Sequence, residues 1–128
     1  MTQEEKELLL KDLSARLPYG VICTDNRHGA SKVTEVDIVS EVIYLFDVDE
    51  YVEIKNCKPY LRPMSSMTEE EKKEFCKIEG RLNFPCKHIK LTFSVDEFDW
   101  LNAHHFDYRG LIEKGLALEA PEDMYNIK

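Results

Sequence analysis

The sequence predicts an α+β fold with an N-terminal helix, a small antiparallel SH3-like β-barrel or curled sheet, and then a helix-strand-helix lobe. Three observations support this. Helix-capping pairs precede three helical patterns. Residues 33–54 are rich in strand-forming residues separated by polar turns. A segment with two prolines lies between these two regions. Short strands joined by tight turns favour a sheet that curls on itself.

Three capping boxes mark where the helices begin. In each pair a hydroxyl and a carboxylate three residues apart can satisfy free backbone amides of the first turn. The pairs are Thr2 with Glu5, Thr68 with Glu71, and Ser94 with Glu97. They predict an amphipathic first helix that stops at Pro18, a second helix that runs to about Ile78, and a third from about Val95 to His105 or Phe106.

The strands are predicted from alternating or continuous apolar residues. Strands are expected at residues 19–24, 33–38, 42–46, 51–54 and 87–93. Asp47, Asp49 and Glu50 lack the spacing of a calcium loop, so we interpret them as a solvated hairpin tip. Because Pro59 and Pro63 are unsuited to a central strand, residues 58–67 are predicted to be an extended connector.

The length of 128 residues indicates a single compact domain, or two lobes that share a core. The first lobe would comprise residues 1–57 and the second residues 68–120, with residues 121–128 as a tail that is either disordered or docked. No apolar run is long enough to span a bilayer, and the N-terminus is acidic, which predicts a cytoplasmic protein without a membrane partner.

The net charge of −8 disfavours binding to nucleic acid or to anionic membranes. The four cysteines are scattered singly, without the spacing of a zinc site, so we expect reduced thiols in this compartment. No metal or cofactor is expected.

Residues 99–120 are the stretch with the most unusual composition, since they hold the only Trp, two of the four His and two of the five Gly. His104, Asp107 and Arg109 are the weak catalytic candidates, as base, orienting carboxylate and anion-binding group. His105 falls in an apolar stripe with Val95, Phe98 and Leu101, which favours a structural role. Adjacent helical residues do not face each other, so the two histidines are not expected to share a metal ion.

The rest of this stretch is interpreted as a structural corner. Gly110 and Gly115 can adopt the positive φ that a turn requires. Asp107 can accept hydrogen bonds from nearby backbone amides, and Arg109 is expected to pair with Asp107 or to cap carbonyls of the preceding helix. The aromatic residues Tyr60, Trp100 and Tyr108 are predicted to be exposed anchors for a partner protein.

Two segments carry a resemblance. Residues 58–72, Lys-Pro-Tyr-Leu-Arg-Pro-Met-Ser-Ser-Met-Thr-Glu-Glu-Glu-Lys, together with residues 99–120, resemble a family of short uncharacterised bacterial proteins of gut anaerobes that are associated with prophages or mobile elements. The resemblance implies no activity and no catalytic residue. It implies an accessory protein of a mobile element or of its bacterial host.

Three hypotheses for function follow, because no stretch spells a catalytic or nucleotide-binding motif. The leading one is a non-enzymatic intracellular interaction module with an unknown protein partner. The alternatives are a small hydrolase or phosphate-handling enzyme that uses His104, Asp107 and Arg109, and a nucleic-acid-binding barrel. The enzyme requires these three side chains to converge on a pocket.

Overall fold

The computed structural model describes residues 1–25, 27–78 and 95–125. These described residues form three α-helices and seven β-strands. The helices are α1 (Gln3–Arg16), α2 (Glu69–Ile78) and α3 (Val95–Ala103). The strands are β1 (Ile22–Thr24), β2 (Ser31–Asp37), β3 (Val42–Leu45), β4 (Glu50–Glu53), β5 (Lys58–Pro63), β6 (Phe106–Asp107) and β7 (Leu118–Glu119). Short 3-10 turns lie at Leu17–Tyr19, Ile54–Asn56 and Met64–Ser66.

Both described capping boxes are present. The Thr2 hydroxyl accepts a hydrogen bond from the Glu5 amide, and the Glu5 carboxylate accepts one from the Thr2 amide. Thr68 and Glu71 make the same reciprocal pair at the start of α2. These local bonds satisfy amides that have no partner inside the helix, which is why the sequence located both starts correctly. Ser94 and the predicted strand at 87–93 lie outside the described residues.

The strands form one mixed sheet in the order β4-β3-β2-β1-β5-β6, with β7 also paired to β5. Strands β1 to β4 are antiparallel neighbours, as predicted, and β1 is antiparallel to β5. Strands β6 and β7 run parallel to β5. The predicted α+β class is therefore confirmed, with a curled sheet that stays open among the described residues instead of closing into a barrel.

The prediction that residues 58–67 are a connector is wrong for β5. This strand pairs with three others, antiparallel to β1 and parallel to β6 and β7. Pro59 and Pro63 occupy its second and last positions, so the missing amides fall near its ends. Between them the Arg62 amide donates to the His105 carbonyl at 2.8 Å, and the Leu61 carbonyl accepts from the Ala120 amide at 2.8 Å.

The core has two parts. The larger part packs Leu9, Leu10 and Leu13 of α1 against the sheet, and it also includes Leu111 and Leu116. The smaller part joins α2, α3 and β6 through four residues, which are Phe75, Trp100, Leu101 and Phe106. Because the larger part takes residues from before and after β5, the two predicted lobes share one core.

Helix α3 differs from its prediction. Leu101 is fully buried and Phe98 half-buried, but Val95 is 75% exposed and therefore does not belong to a buried stripe. The helix ends at Ala103, two residues before His105. His105 is buried as expected, but it reaches the interior through the turn that follows the helix.

The cysteines only partly follow the expectation of reduced thiols. Cys23 and Cys57 are free and buried, and burial raises the pKa of the Cys57 thiol to about 12. Cys76, in contrast, is disulfide-bonded, so the expectation is wrong for this residue.

Candidate functional site

The stretch singled out by the sequence begins with a sharp turn. The His104 amide donates to the Trp100 carbonyl at 3.0 Å, and the His105 amide donates to the Asn102 carbonyl at 3.1 Å. His105 then adopts a φ of 62°, a left-handed conformation that is uncommon for a residue with a side chain. This backbone reversal ends α3 and sends the chain into β6.

His104 is held against α3. Its ring stacks on the Trp100 ring with centroids 4.0 Å apart, and its Nδ1 lies 2.9 Å from the Trp100 carbonyl oxygen. A hydrogen bond at this distance places the proton on Nδ1. One nitrogen of the half-buried imidazole, Nδ1, is therefore engaged in a hydrogen bond to the backbone.

His105 is buried and neutral. Burial, followed by the positive charge of Arg16, lowers the pKa of His105 to about 3. Its ring stacks on Tyr125 with centroids 3.6 Å apart, and its Nδ1 makes no hydrogen bond with the described residues. An imidazolium would need an acceptor for each of its N–H groups, so this environment holds the uncharged ring.

Asp107 and Arg109 each have a structural partner. The Asp107 carboxylate accepts hydrogen bonds from the Leu111 and Ile112 amides, both at 2.9 Å, which confirms the predicted backbone role. The expectation that Arg109 pairs with Asp107 or caps a helix is wrong, because its Nε donates to Asp12 Oδ1 at 3.2 Å. Gly110 and Gly115 adopt φ values of 73° and 76°, as predicted.

The three catalytic candidates are therefore not brought together. His104 is bonded to α3, Asp107 to the loop that follows it, and Arg109 to α1. Among the described residues none of the three contacts another of the three through a hydrogen bond or ion pair. The enzyme hypothesis requires a base beside an orienting carboxylate. These residues do not form that arrangement.

A buried ion pair anchors this stretch to α1, and sequence reasoning missed it. Asp12 and Arg16 have side chains with 0% exposure, and Arg16 Nε donates to Asp12 Oδ2 at 2.8 Å. Arg16 Nη2 also donates to the Phe106 carbonyl at 2.6 Å. The signal was present in the sequence, because both residues lie at helical spacing from Leu9 on the buried face.

The predicted aromatic anchors are less accessible than expected. Trp100 is only 8% exposed, packs against Phe75 and Phe106, and donates from Nε1 to Glu74 at 3.0 Å. Its prediction as an exposed anchor is wrong, because the apolar ring closes the smaller core. Tyr60 and Tyr108 are half-buried. The Tyr108 hydroxyl donates to Asn102 Oδ1 at 2.8 Å.

A concave surface lies beside this stretch, and we call it the acidic groove. It has a volume of about 590 Å³ and lies between the end of β5, the start of α2 and the segment after β7. Its walls include Arg62, Glu71 and Tyr125. Two of the residues nominated from the sequence contact its walls, because the His104 carbonyl accepts a hydrogen bond from Arg62 at 3.4 Å and the His105 ring stacks on Tyr125.

Arg62 holds the wall of the acidic groove in place. Its guanidinium donates two hydrogen bonds to the Glu71 carboxylate, at 2.7 and 2.8 Å, and lies over the Phe106 ring at 4.2 Å. Burial raises the pKa of Glu71, but hydrogen bonds from Arg62 and from the Thr68 amide outweigh it, so the pKa lies below its ordinary value. The charge of Arg62 is thus already compensated.

The other carboxylates of the acidic groove have no such compensation. Glu70, Glu119 and Glu122 line it and make no hydrogen bond or ion pair with the described residues. Pro63, Ala120 and Pro121 also line it. The acidic groove therefore combines negative charge with a few apolar side chains.

Tyr125 lines the acidic groove and docks the C-terminal segment. Its hydroxyl donates to the Tyr60 carbonyl at 2.7 Å and accepts from the Ile22 amide at 2.8 Å. Of the two alternatives stated for the tail, docking is thus observed as far as residue 125. Nothing in the composition of the tail indicated this contact.

Among the described residues, no group of three or more His, Cys, Asp and Glu side chains is arranged to hold a metal ion. No helix of the described part is both long and apolar enough to cross a membrane. No protein-family model, curated protein or solved structure matches this chain.

Proposed function

We propose that this protein is a non-catalytic interaction module whose acidic groove binds a Lys- and Arg-containing segment of a partner protein. The observation that carries the proposal is the pairing of a concave surface with three uncompensated carboxylates, Glu70, Glu119 and Glu122. A peptide can place its cationic side chains on these groups and its aliphatic parts against Pro63, Ala120 and Pro121.

The charges around the acidic groove favour a cationic ligand over a phosphate. Four carboxylates line it against one guanidinium, and that guanidinium is already bound to Glu71. A phosphate backbone would meet repulsion here, which makes the nucleic-acid alternative the weaker one. The enzyme alternative is weaker because His104, Asp107 and Arg109 each serve a different part of the fold.

The resemblance of residues 58–72 and 99–120 supports an accessory role in a mobile element or its bacterial host, in the cytoplasm. Both segments line the acidic groove, since Glu70 and Glu71 belong to the first and Glu119 to the second. The proposal thus assigns a binding purpose to both resembling segments.

The proposal is tested by fluorescence anisotropy with labelled short peptides rich in Lys and Arg, and with acidic peptides of equal length. We expect binding of the basic peptides only, with an affinity that falls as salt is added. The double variant Glu119→Lys/Glu122→Lys should weaken binding several-fold, because both side chains are exposed on the rim.

Glu113→Lys is the matched control, since Glu113 is an exposed acid that does not line the acidic groove. It should leave the affinity close to that of the wild type. If the basic peptides fail to bind at low salt, or if the control weakens binding as much as the rim variant, the acidic groove is not the binding surface.

A further inference from the structure

A second concave surface lies along the first helix of the chain, and we call it the Val39 patch. It is a mostly apolar groove of about 480 Å³ between α1 and the turn that joins β2 to β3. The residues that matter for the argument are Glu7, Leu10 and Lys11 of α1, and Ile38 and Val39 of the turn. None of them lines the acidic groove.

The two apolar residues of the turn are unusually open to solvent. Val39 is 94% exposed and Ile38 is 60% exposed. Turns normally carry Gly, Pro, Asn, Asp or Ser, and a β-branched residue gains nothing there. The conformation of this turn is set by other residues, because Asp37 Oδ1 accepts a hydrogen bond from the Ser40 amide at 3.0 Å. The fold therefore does not require Ile38 and Val39 to be apolar.

The charges beside the patch are also unpaired. Glu7 and Lys11 are four positions apart on α1, the spacing at which acid and base usually pair along a helix. Neither makes an ion pair or hydrogen bond with any described residue. One free anion and one free cation thus flank an apolar groove and a protruding apolar side chain.

This surface has the parts that a two-fold contact pairs, because such a contact joins the same patch on both copies. It carries a protruding apolar residue, an apolar groove and one charge of each sign. We propose that the Val39 patch is the contact between two copies of this chain. In this dimer Val39 enters the groove of the second copy, and Lys11 meets Glu7 of the second copy.

A second copy is favoured over another partner because the patch carries both members of each proposed contact. These are Val39 with the apolar groove, and Lys11 with Glu7. A partner with a strongly charged face would match only Glu7 or only Lys11. The net charge of −8 opposes association at long range, and salt screens both this repulsion and the contacts between Lys11 and Glu7. The two concave surfaces share no lining residue, so variants of the Val39 patch keep the two proposals experimentally separate.

Sedimentation velocity on the full chain tests the dimer across concentrations up to about 1 mM, which covers weak association. We expect a concentration-dependent dimer for the wild type. Val39→Asp should raise the dissociation constant about tenfold or more, because it buries a charge in the apolar contact. Val95→Asp is the control, since Val95 is 75% exposed but lies on α3, outside the patch.

A charge exchange gives the sharper test. Lys11→Glu alone and Glu7→Lys alone should each weaken the dimer, because like charges then meet across the axis. An equimolar mixture of the two variants should form a heterodimer, in which every contact again joins opposite charges. A wild type that stays monomeric throughout overturns the proposal, and so does a mixture that associates no better than either variant alone.

Discussion

The ring of Tyr125 stacks on the ring of His105, with centroids 3.6 Å apart and planes inclined by 12°. This contact joins the end of the chain to the turn that follows α3. The Tyr125 hydroxyl extends the connection to β1 and β5 through Ile22 and Tyr60. One side chain therefore ties the C-terminal segment to the centre of the sheet.

Removal of the Tyr125 hydroxyl should destabilise the fold. Tyr125→Phe keeps the stacked ring but leaves the Ile22 amide and the Tyr60 carbonyl without this partner, at a cost of about 1–3 kcal/mol in the free energy of unfolding. Urea denaturation measures the effect. Tyr19→Phe is the control, because Tyr19 is 37% exposed and its hydroxyl bonds to no described residue. Equal stability of the two variants would show that the hydroxyl contacts contribute nothing.

The Asp12 carboxylate should be among the costliest charges to remove. Asp12→Asn leaves the fully buried Arg16 guanidinium without its counter-ion, and we expect a loss of about 3 kcal/mol or more in unfolding free energy. Arg109→Gln should lower the unfolding free energy by less, because the ion pair between Asp12 and Arg16 remains and the Arg109 side chain is 18% exposed. Asp99→Asn, an exposed acid of α3, serves as the control. A loss for Asp12→Asn no greater than for Asp99→Asn would contradict the buried pair.

Stability should fall in acid because of His105. Burial lowers the pKa of this residue from its ordinary 6.5 to about 3 in the folded state, so the unfolded chain takes up the proton first. The stability that this group contributes is fully present above pH 6.5 and is lost as pH falls toward 3. In that window the contribution changes by up to about 1.4 kcal/mol per pH unit.

The variant His105→Asn isolates this effect, since asparagine tolerates the positive φ of the position. Denaturation at a series of pH values should give a shallower decline for the variant than for the wild type. The difference in stability between the two proteins is expected to shrink as pH falls from 6.5 to 4. Parallel curves would mean that His105 titrates normally in the folded protein.

Gly110 should resist substitution for a reason of backbone conformation alone. A Cβ at this position meets no atom within 4 Å, but its φ of 73° is unfavourable for any residue with a side chain. Gly110→Ala should therefore cost about 1 kcal/mol. Gly29→Ala also meets no atom within 4 Å and has no positive φ, so it should be close to neutral in thermal unfolding. If both variants unfold at the same temperature, the left-handed conformation at Gly110 does not make alanine destabilising there.

The sequence predicted the neighbourhood of the candidate site better than its members. Asp107 accepts the backbone hydrogen bonds that were predicted for it, and Gly110 and Gly115 adopt positive φ values. The acidic groove was not predicted, because its walls come from three separate segments of the chain. The spacing of charges within one segment does not show which distant segments will lie next to it in the fold.

The sequence by itself determined the elements whose causes are local. The capping pairs at Thr2 and Thr68 fix helix starts through bonds that span three residues, and alternation fixes the hairpin strands. Only the tertiary structure decided the rest. In the folded protein β5 lies inside the sheet and Trp100 is buried. Arg109 donates a hydrogen bond to Asp12, which is 97 positions away in the sequence. The physical reason is that burial and ion pairing between distant segments depend on how complete elements pack, whereas periodicity and capping are set within a few residues.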